Sequence, residues 1–333
     1  MVTKTQLFYL IKTTLFTLPQ PNFFKALSFP PFMQIKTVPE DFVVTEIATL
    51  PLGKGKYDYY LLQKKGWTTL EAAKRLATFV NTPLKDVGFM GNKDKQAVTS
   101  QYISIFGAAR KKVEQFSLPD VMLMYQGSGD KRLRLGDLQG NAFAIVVRDL
   151  AERKALSITK IKNFFDEQRF GVAKNNVPVG KALIQGRFKD ACDLLQLSYD
   201  GKDYLKALRT VPKKLLRLYV SSYQSYLWNI VADNVEDVET VPLVGFLTEL
   251  DGKIGTLYKN LLKKEDVAVE NFLMKSLPEI SSEGDIRLLY VPVKDFSYSY
   301  EEDELHPMKF KCILHFELQK GAYATMVVKQ LFA

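Results

Sequence analysis

A chain of 333 residues, 47% hydrophobic and 25% charged, has an ordinary soluble globular composition with room for one large domain or two of common size. Its 46 Lys and Arg against 37 Asp and Glu give a net charge of +9 and a pI near 9.2, a balance that favours a polyanionic partner such as nucleic acid. Cys192 and Cys312 stand far apart, and His306 and His315 have no cysteine or acidic grouping at ligand spacing, which excludes a disulfide framework and a zinc signature and leaves little for histidine acid–base chemistry.

Residues 1–32 carry two apolar runs, Leu7 to Ile11 and Leu15 to Leu18, broken by Lys12, Pro19, Pro21 and Lys25. They are too short and interrupted for a membrane span and lack a small-residue cleavage site, so the expected location is cytoplasmic. Met33 opens what reads as a domain start, which makes residues 1–32 an expected dispensable extension. Phe42 to Ile47 alternates as a strand with Phe42, Val44 and Glu46 on one side, and Tyr57 to Leu62 predicts a second. Thr68 and Glu71 have capping-box spacing, with Leu70, Ala73, Ala77 and Val80 following at helical intervals. Gln101 to Phe106 and Ala142 to Val147 predict further strands. Ile158, Ile161 and Phe165 predict a helix, and a long one is expected from about Lys213 to Val235, without Pro or Gly. Beyond it glycines and Pro278 break short apolar pieces. After the acidic run Glu301 to Glu304, Met308 to Leu318 alternates as a strand with Cys312 on its apolar side and His315 opposite. Ala322 to Leu331 predicts a last strand. Periodicity permits these final strands to rejoin the N-terminal sheet, leaving the middle as an insertion.

The most informative window is Gly91-Asn92-Lys93-Asp94-Lys95-Gln96-Ala97-Val98-Thr99-Ser100-Gln101. One carboxylate stands between two lysines after a glycine, with apolar sequence on both sides. Asp94 therefore belongs on a tight loop at the edge of a core, where neighbouring cations favour the charged, nucleophilic form and exclusion of water raises its reactivity. Read alone, the window is equally a solvated turn with a weak surface ion pair.

The order Gly-x-Lys-Asp-Lys-x-Ala-Val-Thr-x-Gln resembles the signature of the TruD family of tRNA pseudouridine synthases, in which the Asp is catalytic. Five further segments match that family in the same order: Gln34 to Glu46, Arg134 to Phe143, Asn163 to Gly171 with Asn176, Tyr223 to Asn229, and Gly321 to Thr325. The resemblance spans roughly residues 34 to 331 and fades between about 235 and 300.

The resemblance implies an α+β fold: a pseudouridine synthase catalytic domain with a mostly antiparallel central sheet at 33–166 and 304–333, and an inserted α+β domain at 167–303, with a positively charged cleft between them. Carried over by position, Asp94 is the catalytic carboxylate and Lys36 its partner; Phe42, Asn141 and Tyr323 hold the target nucleotide, and Phe143 packs on the flipped uracil. Relatives often have Phe where this chain has Tyr323; the change keeps a stacking face and adds a hydroxyl. Taken singly, each has a plainer reading: Phe42 and Phe143 as core, Asn141 as a turn residue, Lys36 as solvated, Tyr323 as sheet packing. As an ordered set around Asp94, the site reading is favoured. The implied reaction turns a uridine of tRNA, commonly U13, into pseudouridine, with Asp94 acting at C1′, at C6 or on a ribose proton. It needs no cofactor, no metal and no obligatory protein partner, and a monomer is expected. Lys64-Lys65, Arg110-Lys111-Lys112, Lys131-Arg132 with Arg134, Arg187 with Lys189, and Lys213-Lys214 with Arg217 are candidates for RNA phosphate contacts, or else solvated faces. The 16 Tyr and 22 Phe supply stacking faces, most of them core. A non-catalytic tRNA-binding or RNA-folding protein would share the basic surface without needing Asp94, and an unrelated hydrolase or lyase would want a second acid–base group.

Overall fold

A computed structural model of the protein describes residues 33–108, 110–171 and 175–332; the extension read at 1–32 lies outside them. The described chain forms two compact units. One comprises the residues up to Ile161 together with those from Val291 onward, the other Lys162 to Tyr290. The division departs from the expected boundaries at 166/167 and 303/304, most at the second, because Lys294–Glu302 is a full strand of the first unit. Its partner is Phe310–Gln319, so the acidic run closes the first strand of a sheet hairpin and enters its turn.

The first unit is organised by a nine-stranded sheet. Its main path runs Lys294–Glu302, Phe310–Gln319, Gly140–Leu150, Phe42–Ile47, Val98–Phe106, Tyr57–Lys65 and Val121–Gly129. Gln34–Ile35 adds to the 140–150 strand and Val87–Phe89 to the 98–106 strand. Pairing is antiparallel throughout except between the 42–47 and 98–106 strands. The mainly antiparallel α+β fold is the one expected.

Strand parity places the site. Residues directly opposite on paired strands project from one face, so register puts Val44, Phe143 and Phe316 in one row and Glu46, Asn141 and Leu318 in the next. The row through Val44 continues across the sheet to Thr99 and Lys64. Under it lies the helix Thr69–Val80. Its cap is as expected: Thr68 Oγ1 accepts from the Glu71 N–H, and Glu71 accepts from the Thr68 N–H at 2.9 Å. Its buried face is Thr69, Ala72, Ala73, Leu76, Ala77 and Val80, while Leu70 faces outward. Leu76 and Val80 pack on Tyr60, Leu62, Ile103 and Ile105 of the sheet.

Two expected elements differ. Ala324–Phe332 is a helix, not a strand; Ala324, Val327, Val328 and Leu331 recur at helical spacing, and a short apolar run fits both periods. Around Ile158 to Phe165 there is no helix: Lys160–Lys162 is a strand and Glu167–Phe170 a 3-10 turn. The backbone there is engaged by tertiary partners, since the Phe165 N–H donates to Asn229 Oδ1 at 2.9 Å and Asn229 Nδ2 donates to the Phe165 carbonyl at 2.8 Å.

The second unit is built on the helix Lys213–Asp233, packed against Asn176–Ile184 and Gly252–Glu265. Tyr223, Trp228 and Asn229, which match the family in sequence, are its core, with Trp228 Nε1 donating to the Val241 carbonyl at 2.9 Å. No helix of the described residues is long and apolar enough to cross a membrane.

Candidate active site

Asp94 sits on the loop between the 87–89 and 98–106 strands, half-exposed, with Oδ2 at 2.7 Å from Lys36 Nζ. Lys36 reaches it from a left-handed backbone conformation, φ 59°, which costs a non-glycine residue about 1–3 kcal/mol and persists only where surrounding structure fixes it. The fixing is visible. Gln34–Ile35 pairs with Val147 and Arg148 just before Lys36, and Asp41 follows in a short 3-10 turn. Arg148, 4% exposed, donates to both Asp41 oxygens at 2.8–3.0 Å, to Asp303 at 2.8 Å and to Glu304 at 3.0 Å. Asp41 also accepts the Val38 N–H at 3.1 Å. Strand pairing thus holds the chain just before Lys36, and a buried guanidinium holds it at Asp41, with two carboxylates of the acidic run as its other partners.

The aromatic side chains continue from that pair. Lys36 Nζ lies 4.1 Å from the centroid of Phe42. Phe42 meets Phe143 edge-on at 6.2 Å, and Phe143 stacks on Phe316 at 5.4 Å. Two residues along the same strand, Asn141 has its Oδ1 buried without a hydrogen-bond partner, a state that is costly unless a ligand supplies a donor. Tyr323 is half-buried in the turn before the helix Ala324–Phe332. The Lys320 N–H donates to the Gln139 carbonyl at 3.1 Å and sets that turn beside the Asn141 end of the strand. Lys36, Asp94, Phe42 and Phe143 therefore form one chain of contacts, Asn141 shares their sheet face, and Tyr323 is brought alongside by backbone. Phe316, not singled out in sequence, belongs with them.

The loop carrying Asp94 is pinned from beneath. Lys93, expected to bias Asp94, turns inward instead, and its Nζ donates to Glu46 Oε1 at 2.8 Å in a buried pair. The other Glu46 oxygen accepts the Tyr102 N–H at 3.0 Å. The Lys93 N–H donates to Thr69 Oγ1 at 2.8 Å, that hydroxyl to Gln101 Oε1 at 2.7 Å, and Gln101 Nε2 to the Gly91 carbonyl at 2.9 Å. Lys64, read as a phosphate contact, is 2% exposed and unavailable for one. Its Nζ donates to the carbonyls of Trp67 at 2.7 Å, Asp94 at 3.0 Å and Lys93 at 3.4 Å. Burial lowers its pKa from 10.5 to about 8. The missed signal was parity, because Lys64 follows the inward-facing Tyr60 and Leu62 at steps of two.

The other basic clusters divide. Arg110 lies on the Tyr125 ring at 3.6 Å, and Arg187 and Lys189 pair with Asp190 and Asp193. In the second unit, Arg169, Lys214 and Arg217 line a groove of about 670 Å³ floored by Leu215, Leu218 and Ile280. The described residues contain no group of three or more His, Cys, Asp or Glu placed to hold a metal.

Comparison with known proteins carries the same sense. The sequence profile of tRNA pseudouridine synthase D (TruD) matches residues 28–199, 193–235 and 232–331. The "Probable tRNA pseudouridine synthase D" of Methanosarcina acetivorans is 29% identical, covering 87% of this chain and 90% of that one. The tRNA pseudouridine synthase D of Syntrophotalea carbinolica is 28% identical over 89% and 95%. A crystal structure of the "Putative tRNA pseudouridine synthase D (TruD)" of Methanosarcina mazei superposes with a TM-score of 0.73 at 25% identity, covering 92% of this chain and 95% of that chain. The mainly antiparallel α+β fold is that of a pseudouridine synthase. The chain belongs to the tRNA pseudouridine synthase D family, and is an isomerase that converts uridine in tRNA to pseudouridine.

Proposed function

We propose that Asp94 is the catalytic carboxylate and that the target is uridine 13 of tRNA, the family's usual position. The observation that carries the assignment of Asp94 is its 2.7 Å pair with Lys36, open on one side and set against the Phe42–Phe143–Phe316 aromatics. An ion pair this exposed contributes less than about 1 kcal/mol to stability, so folding does not account for a strained lysine held against it.

In this reading the target base leaves its stack, because its glycosidic bond is out of reach inside folded RNA. Phe42 and Phe143 receive the base and Tyr323 stacks beside it. The free Asn141 Oδ1 suits a ring N–H donor of uracil. Lys36 orients the Asp94 carboxylate through their 2.7 Å contact. The N1–C1′ bond breaks, the uracil turns within the pocket, and C5 bonds to C1′; the C5 hydrogen leaves as a proton and N1 gains one. Atoms balance, and the reaction consumes no redox agent or nucleoside triphosphate. The unit from Lys162 to Tyr290 is the insertion, and its Arg169–Lys214–Arg217 groove contacts the RNA backbone. The enzyme acts as a monomer in the cytoplasm.

Release of tritium from 5-tritiated uridine in an unmodified tRNA transcript tests the assignment. Wild type should release one equivalent, lost when position 13 of the transcript is cytidine. Release from both transcripts would overturn the choice of position. Binding without release from any tRNA would instead favour a non-catalytic RNA-binding protein.

A further inference from the structure

Lys64 is a charged side chain in an expensive place, on an inner strand of the sheet between the 98–106 and 121–129 strands. Its hydrogen bonds go to three backbone carbonyls, two of them those of Lys93 and Asp94. An ammonium has three donors, one for each. A buried cation without a carboxylate bonded to it is costly, and an apolar side chain of similar length would pack there with less penalty. Stability alone gives no reason for a lysine at this position. Its three acceptors supply one, because they fix the Trp67 turn to the Asp94 loop directly behind the carboxylate.

We propose that Lys64 is a positioning residue for the isomerisation: by binding the main-chain carbonyls of Lys93 and Asp94, it sets the orientation in which the Asp94 carboxylate meets the ribose–uracil unit. The proposal rests on the reading of Asp94 as the catalytic group. Lys36 acts on the carboxylate itself, whereas Lys64 acts on the backbone that carries it. Neither replaces the other.

The device has a pH signature. Burial is the main influence lowering the ammonium's pKa to about 8; Asp94 and Glu71 oppose that shift and Lys93 adds to it. From the helix packed nearby the facing group is Glu71, and from the loop they are Asp94 and Lys93. The adjacent strand contributes the uncharged Thr99, and the neighbouring Lys65 is engaged with Glu40. A neutral amine has two N–H groups for three carbonyls, so deprotonation loosens the bridge between the Trp67 turn and the Asp94 loop.

The test is the single-turnover rate of tritium release at saturating tRNA transcript, from pH 6 to 9, for wild type, Lys64→Met and Asp94→Asn, with RNA Kd and melting temperature measured on each. A displacement of the reacting group by about 1 Å costs roughly 10²-fold in rate. Lys64→Met should therefore lose about that factor in rate while its Kd stays within about threefold, as expected for lost orientation rather than lost binding. The wild-type rate should fall as pH rises through about 8, and that limb should be missing in Lys64→Met. A folded Lys64→Met with the wild-type rate, or one that keeps the alkaline limb, overturns the proposal. Should Lys64→Met fail to fold, the wild-type profile decides, and a rate that stays flat to pH 9 overturns it. Activity in Asp94→Asn would overturn the underlying assignment instead, which separates the two failures.

Discussion

Adjacent residues of one loop end in two ion pairs of nearly equal length and opposite character. Lys93 meets Glu46 at 2.8 Å with the two side chains 6% and 0% exposed; Asp94 meets Lys36 at 2.7 Å with 23% and 39% exposed for the lysine and the aspartate. In the buried pair the second Glu46 oxygen accepts the Tyr102 N–H, and the pair fixes where the loop lies. The open pair keeps its carboxylate partly in solvent, beside the Phe42 ring that Lys36 also meets. Distance alone does not distinguish a structural pair from a chemical one; solvent access does.

The contrast breaks first at Asp94. Asp94→Asn is isosteric and removes the charge, so tritium release should fall by at least about 10³-fold, roughly 4 kcal/mol in barrier. Lys93→Met should do the reverse. It leaves Glu46 buried without its cation, and urea unfolding should show a loss of about 3–5 kcal/mol, with the loop's activity reduced as a consequence. Lys36→Met lies between them: stability within about 1 kcal/mol of wild type, and a rate about 10- to 100-fold lower at saturating RNA, as the oriented partner of the carboxylate is lost.

The smallest effect is acidic. Burial alone would raise the pKa of Asp303, but hydrogen bonds from the Asp149 and Leu305 backbone, His306 and Arg148 outweigh it and bring the carboxyl from 3.8 to about 2. A folded pKa below the unfolded one stabilises fully above the unfolded value, so this contribution is intact above about pH 4 and disappears as pH falls through about 2. Thermal melts between pH 5 and 2 should show the decline, and it should be shallower in Asp303→Asn.

Much of this was legible in the chain. The strand parity of Phe42, Val44 and Glu46, the cap at Thr68 and the length of the 213–233 helix follow from local chemistry, and the structure has them. The candidate residues Lys36, Asp94, Phe42, Asn141, Phe143 and Tyr323 came from ordered motifs rather than from any single residue. What stayed hidden depends on distant partners. Arg148 and Asp303 bond across 155 residues, and no window containing Glu301 to Glu304 shows that two of its members face a guanidinium. Lys64 beside Lys65 reads as a basic cluster, although alternate residues of a strand face opposite ways and only Lys65 faces outward. Ala322 to Leu331 was ambiguous because a short apolar run satisfies both periods.

Two ion pairs one residue apart thus divide the work of structure and chemistry. The most direct measurement is tritium release and melting temperature on the same preparation of Asp94→Asn, with Lys93→Met alongside. Asp94→Asn should melt with wild type, bind tRNA and release no tritium, and Lys93→Met should melt well below both. Tritium release by Asp94→Asn at the wild-type rate would contradict that division.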